Sequence, residues 1–189
     1  MSLNINFIDE TFIKSRTAIS QGIDGKQLKP TIKLAQDKFI MPALGSTLYL
    51  RLQEGIENDN LNQSETTLLN DYIADALLWF TMSELVTMTS FQFFSKGVFQ
   101  KTSEESNAPS KGQLELLERK YASNGEFYKQ RLIDYLRQNQ EDFKQYLGYG
   151  SGFDVIPPQM QAYTSPIYLG RKGKQRVSNY DYPNENQKL

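Results

Sequence analysis

Asn62–Thr102 reads NQSETTLLNDYIADALLWFTMSELVTMTSFQFFSKGVFQKT, and the fold turns on it. Asn62 and Glu65 have the spacing of a capping box, and Ser64 offers a second hydroxyl at the same helix start. In the first half, Leu69, Tyr72, Ile73, Ala76 and Phe80 recur at helical spacing and make one apolar stripe. In the second half, Leu77, Leu78, Trp79, Phe80, Met82, Leu85, Val86 and Met88 leave almost no polar side. A striped helix packs on one neighbour; a helix apolar all round lies inside a bundle. The stretch is expected to be the central helix of one core, spanning about 40 Å, with Trp79 fully buried.

After Ser90 the character changes. Phe91, Phe93 and Phe94 lead into Ser95-Lys96-Gly97, and Val98, Phe99 and Gln100 follow. Aromatic and β-branched residues around a glycine turn predict a small β-hairpin at about residues 91–102. A hairpin that small needs a partner surface, from its own bundle or from another subunit. Phe94, Lys96, Val98 and Phe99 are therefore candidate contact residues.

On the N-terminal side, Ile5, Phe7, Ile8, Phe12 and Ile13 precede a polar loop around Gly22 and Gly25, and Asp9 or Thr11 suits a short helix start. Pro30 is expected as the first residue of a helix carrying Ile32, Ala35, Gln36, Phe39 and Ile40 on one face. Pro42 should end or kink it, and Leu44-Gly45 should close it. Ser46 is expected to cap a third helix, TLYLRLQE, ending at Gly55.

On the C-terminal side, residues 103–112 are polar, and Ser110 with Gln113 forms a second capping box. Leu114, Leu117, Tyr121, Gly125, Tyr128, Leu132, Tyr135, Asn139 and Phe143 keep one helical phase straight through Asn124-Gly125. A break would reset that phase, so one helix of about 35 residues, ~50 Å long, is preferred over two meeting at Asn124. Gly125 would lie on its inner face, where another backbone can approach. Gly148, Gly150 and Gly152 end the helix, and Pro157-Pro158 forces extended chain. Ile167, Tyr168 and Leu169 suit a short strand, followed by the basic cluster Arg171, Lys172, Lys174 and Arg176. This segment is too poor in apolar residues to build a core alone. The expected organisation is a mainly α helical domain over residues 1–147 and an extended C-terminal arm over residues 148–189.

Composition narrows the function. The chain has 189 residues, a formal net charge of −1, no cysteine and no histidine. Thiolate metal sites and disulfides are excluded, and the usual general base near neutral pH is missing. No phosphate loop, dinucleotide fingerprint, metal motif or nucleophile elbow is present. Asp71, Asp75 and Glu84 lie on the central helix, but without histidine they lack the partners of a diiron-type site. Asp71 and Asp75 read as an exposed edge, and Glu84 as a carboxylate facing a cap, a hydroxyl or a subunit boundary, since burying an unpaired charge is costly. The expectation is a non-enzyme without a cofactor. Leu77–Phe99 carries Glu84, Lys96 and many hydroxyl and amide side chains, so it reads as buried core rather than a membrane span. The basic cluster leaves a nucleic-acid-binding module as the alternative.

The order of elements, LKPTIKLAQDKFIMPALGSTLYLRLQ, the central helix, FSKGVFQKTSEESNAPS, and a helix ending YKQRLIDYLRQNQEDFKQY, resembles the head–tail connector (portal adaptor) proteins of tailed bacteriophages, most nearly the ring protein of crAss-like phages. The resemblance covers about residues 28–147 and rests on strings that mark a fold, not a catalytic set. It implies a virion protein at the head–tail junction, made in the host cytoplasm, whose copies form a ring, dodecameric in the family. That ring would sit below the portal, extend the DNA exit channel without sequence-specific contacts, and dock a tail or further ring protein. The hairpin, Ile167, Tyr168, Leu169 and the basic cluster would then contact subunits and partners.

Overall fold

The computed structural model describes residues 5–20, 22–94, 97–100, 109–146 and 156–159, with residues 90–94 and 97–100 described by their backbone. The protein is mainly α. Its helices are α1 (Glu10–Arg16), α2 (Gly25–Ala35), α3 (Met41–Glu57), α4 (Gln63–Thr67), α5 (Ala74–Ser90) and α6 (Lys111–Gln138). Two π-helical turns, Gln36–Ile40 and Leu68–Ile73, join α2 to α3 and α4 to α5. Strands β1 (Phe91–Phe94) and β2 (Gly97–Gln100) pair antiparallel, Phe91 opposite Gln100 and Phe94 opposite Gly97.

Helix starts follow local chemistry. Asp9 caps α1, accepting from the Phe12 N–H at 2.7 Å. Asn62 and Glu65 close their capping box at 2.7 and 2.9 Å, and Ser110 with Gln113 closes the second. Pro30, expected at a helix start, lies inside α2, because Asp24 caps the helix earlier by accepting from the Lys26 N–H. Pro30 and Lys26 are both exposed, so the carbonyl that loses its intrahelical donor faces water.

The path from Asn62 to Ser90 is not one regular helix. Leu68 and Ile73, five positions apart, are both fully buried, and the Ala74 N–H bonds back to the Leu69 carbonyl. A π turn puts positions five apart on one face, absorbing one extra residue that an α-helix would rotate away. Ala35 and Ile40 repeat the device at the end of α2.

α5 makes its broadest contact with α6 and its next with α2. Leu28, Ile32, Leu44, Leu48, Leu52, Leu77, Phe80, Leu132, Ile133 and Leu136 are wholly buried, and Phe143 and Tyr146 close the same core beyond α6. Phe80, rather than Trp79, is the central aromatic. Phe80 is fully buried and stacks on Phe39 with ring centres 4.1 Å apart, whereas Trp79 is only partly buried, against Tyr121. The adjacent positions face about 100° apart on a helix, and the apolar pattern around them is too uniform to choose between them.

α6 runs unbroken through Asn124-Gly125 as 28 residues and stops at the Asn139 cap, short of the expected length. A Cβ on Gly125 would lie 2.7 Å from the Phe80 ring, so this glycine is where the α5 aromatic seats against α6.

Candidate functional site

α5 and α6 are antiparallel neighbours. Tyr72 stacks on Tyr135, Trp79 on Tyr121, and the Ser83 hydroxyl donates to the Glu118 carbonyl at 3.2 Å. Continuing that register brings Met88 level with the first turns of α6. No residue of α6 before Gly125 is buried. There Leu116 is 70% exposed and Leu117 39%, with Met88 at 48%; further along the helix Phe127 is 65% exposed. Scattered exposed apolar residues are ordinary, but several large ones at the bare end of a helix pair make an uncovered surface. The apolar pattern of the sequence places Leu117 and Met88 among core positions, and the structure does not. Periodicity shows which residues share a face, not whether another element covers it.

A second feature lies at the middle of α3. Gly45 has φ 75° and ψ 157°, an extended left-hand conformation close to glycine-only, and it breaks the helix there. A break orphans backbone groups on both sides. Residues 156–159 meet them. The Ser46 N–H donates to the Ile156 carbonyl at 2.9 Å, and the Gln159 N–H donates to the Pro42 carbonyl at 2.7 Å. The Ser46 hydroxyl accepts from the Ile156 N–H at 2.8 Å. Pro158 fills the space beside Gly45, its Cδ 2.9 Å from where a Cβ would stand. Ser46, expected as a helix cap, is therefore spent on residue 156. The break falls at the expected Leu44-Gly45 closure rather than at Pro42, and the helix that follows continues past Gly55 to Glu57.

The buried polar groups tie elements together. Gln36 holds the N-terminal segment, accepting from the Phe7 N–H at 2.7 Å and donating to the Ile5 carbonyl at 2.9 Å. Its amide also donates to the Tyr49 hydroxyl, which in turn donates to Asp37. Burial, then the hydrogen bond to Asp37, raises the Tyr49 pKa, so its proton stays in place. Glu65, almost fully buried, takes Arg51 at 2.9 Å, and Arg51 also grips Asn60.

The candidate carboxylates are dispersed. Asp71 is exposed, Asp75 pairs with Arg16 at 3.5 Å, and Glu84 pairs with Lys38 at 2.6 Å. A cleft of about 560 Å³ lies between the N-terminal segment, α2 and the α4–α5 junction, lined by Asp9, Glu10, Lys29 and Asn70 among others. Asp9 is committed to its cap: bonds from the Thr11 hydroxyl and the Phe12 N–H hold its carboxyl below the usual range. Among the described residues no group of three or more acidic side chains is placed to hold a metal, and no helix is long and apolar enough to cross a membrane. Of the candidate contact residues, Phe94, Val98 and Phe99 are described by backbone alone. Lys96, Ile167, Tyr168, Leu169, Arg171, Lys172, Lys174 and Arg176, with the rest of the expected arm apart from residues 156–159, lie outside the described residues.

A model described as a family of unknown function, DUF6712, matches residues 40–152, well over half of the chain. The chain belongs to the DUF6712 family. No curated protein and no solved structure matches it. The DUF6712 match begins at the end of the first π turn and takes in Gly45, the α5–α6 pair and the strands between them, so both the apolar surface and the helix break fall largely within the family's span.

Proposed function

We propose that the protein is a structural subunit of a tailed-phage particle, its copies forming a ring adaptor between portal and tail that extends the DNA exit channel. In this reading the domain is a helical bundle around the Asn62–Ser90 helical path. The β1–β2 hairpin and the segment beyond residue 159 are appendages that contact neighbouring copies and the proteins above and below. The observation that carries it is the uncovered apolar end of the α5–α6 pair, with Leu116, Leu117 and Met88. A surface of that kind on a chain whose described acidic groups are dispersed into pairs and caps suits assembly better than catalysis. The order of sequence elements, which resembles the portal adaptors, supplies the class of assembly.

Electron microscopy of the purified chain at high concentration, and of particles carrying it, tests this directly. Rings at the head–tail junction are expected. Absence of the protein from assembled particles would sink the reading. Sub-micromolar, salt-dependent duplex binding by the isolated chain would instead favour a nucleic-acid-binding module.

A further inference from the structure

The Gly45 break behaves as a receptor for extended chain. An α-helix broken at one residue presents a carbonyl and an N–H that the helix itself no longer satisfies. Here those groups are the Pro42 carbonyl and the Ser46 N–H, and both are met by residues 156–159. Gly45 is bare of side chain where Pro158 lies, and the Ser46 hydroxyl supplies an acceptor for the Ile156 N–H. The two prolines stiffen the segment before it docks, which lowers the ordering cost of binding. The core of the bundle is built without these residues: none of the side chains from 156 to 159 belongs to it. The contact is therefore peptide recognition by main-chain groups, separable from the fold.

We propose that in the assembled protein the Gly45 break of one copy is occupied by Ile156–Gln159 of a second copy, so that neighbouring subunits are joined by exchanged C-terminal segments. The inference rests on the ring reading for the presence of a neighbour. The segment follows residues 147–155, which can reach up to about 30 Å when extended. That span lets the same segment serve its own bundle or an adjacent one. The hydrogen bonds are identical in either case, so exchange costs no contacts and turns each docked segment into a link. Within a ring a neighbour's receptor is held at a local concentration comparable with the chain's own, the condition under which exchange competes.

The chain has no cysteine, which makes the test clean. Ser46 and Ile156 are joined by one main-chain hydrogen bond and by one from the Ile156 N–H to the Ser46 hydroxyl, which makes this the pair to cross-link. The full chain carrying Ser46→Cys and Ile156→Cys together is oxidised over a range of concentrations and run on a non-reducing gel. Exchange predicts a ladder of covalent multimers that grows with concentration. Internally linked monomer at every concentration, or no cross-link, overturns it. Ser46→Ala is the independent variant: it removes the hydroxyl that accepts from the Ile156 N–H and leaves the backbone untouched, and the concentration needed for assembly should rise about fivefold with helix content unchanged. Assembly at the wild-type concentration would overturn the exchange. Micrographs of the oxidised sample separate the two readings. Rings built from internally linked monomers would leave the ring standing and remove the exchange, whereas covalent ladders without closed rings would do the reverse.

Discussion

At Gly125 two effects of opposite sign meet. Replacing glycine by alanine in a helix interior gains up to about 1 kcal/mol of propensity. The new methyl would stand 2.7 Å from the ring of Phe80, itself fully buried and stacked on Phe39. Overpacking a filled core costs roughly 1–3 kcal/mol, and here it wins: Gly125→Ala should lower the denaturant midpoint, with Phe80→Leu partly restoring it. Arg51 poses a different question. It is the cation beside the buried Glu65 carboxylate, and a hydrogen bond to a charged group contributes about 1.5–3 kcal/mol. Arg51→Met should cost about that much in urea unfolding, and more than Lys38→Met, whose pair with Glu84 is half open to water. Tyr49 gives a pH signature. Its folded pKa is raised by burial and by Asp37, so its contribution is complete below the ordinary tyrosine value near pH 10 and is lost as pH rises towards the folded value. Stability measured upward from about pH 10 should fall less steeply in Tyr49→Phe than in the native chain.

Among the elements, the α4–α5 path shows how a helix can be apolar on every side and still have one inner face. The π turn at Leu68–Ile73 rotates α5 so that Phe80 points into the core and Trp79 packs on Tyr121 nearer the surface. Phe80→Ala should therefore cost about 3–5 kcal/mol, the range for a large buried aromatic. Trp79→Ala should cost distinctly less, which thermal unfolding of the two variants compares directly. Equal losses would mean that both rings share the core. The phase of α6 is readable through Asn124-Gly125 because the pattern does not reset there. Its end is not, because Phe143 and Tyr146, buried in the same core, lie beyond the helix at positions that keep its spacing.

For the whole molecule, the testable division is between the bundle and the chain beyond it. The core closes with Tyr146, and residues 156–159 add hydrogen bonds at one point on α3 without entering it. Deleting residues 163–189 should leave helix content and melting temperature unchanged while impairing assembly, as followed by circular dichroism and light scattering. Loss of helix content on that deletion would show that the segment belongs to the fold. Charge reversal at Arg171, Lys172, Lys174 and Arg176 should give a milder form of the assembly defect.

Sequence alone determined the mainly helical class, both capping boxes, the continuity of α6 and the inner-face position of Gly125, though what approaches there is the Phe80 ring and not another backbone. Each depends on residues near one another in the chain, whose side chains either satisfy the backbone or keep a helical phase. It set Glu84 apart as a carboxylate facing a cap, a hydroxyl or a subunit boundary, and the structure pairs it with Lys38 instead. The tertiary structure decided the rest. It chose Phe80 over Trp79, because both rings satisfy the same apolar pattern and only the neighbouring helix distinguishes their faces. It put the break at Leu44-Gly45, where the sequence also closes a helix, rather than at Pro42, and it assigned Ser46 to Ile156, a contact across 110 positions. The groups that meet there are mostly backbone N–H and C=O, which every residue carries, so no pattern of side chains could have announced them.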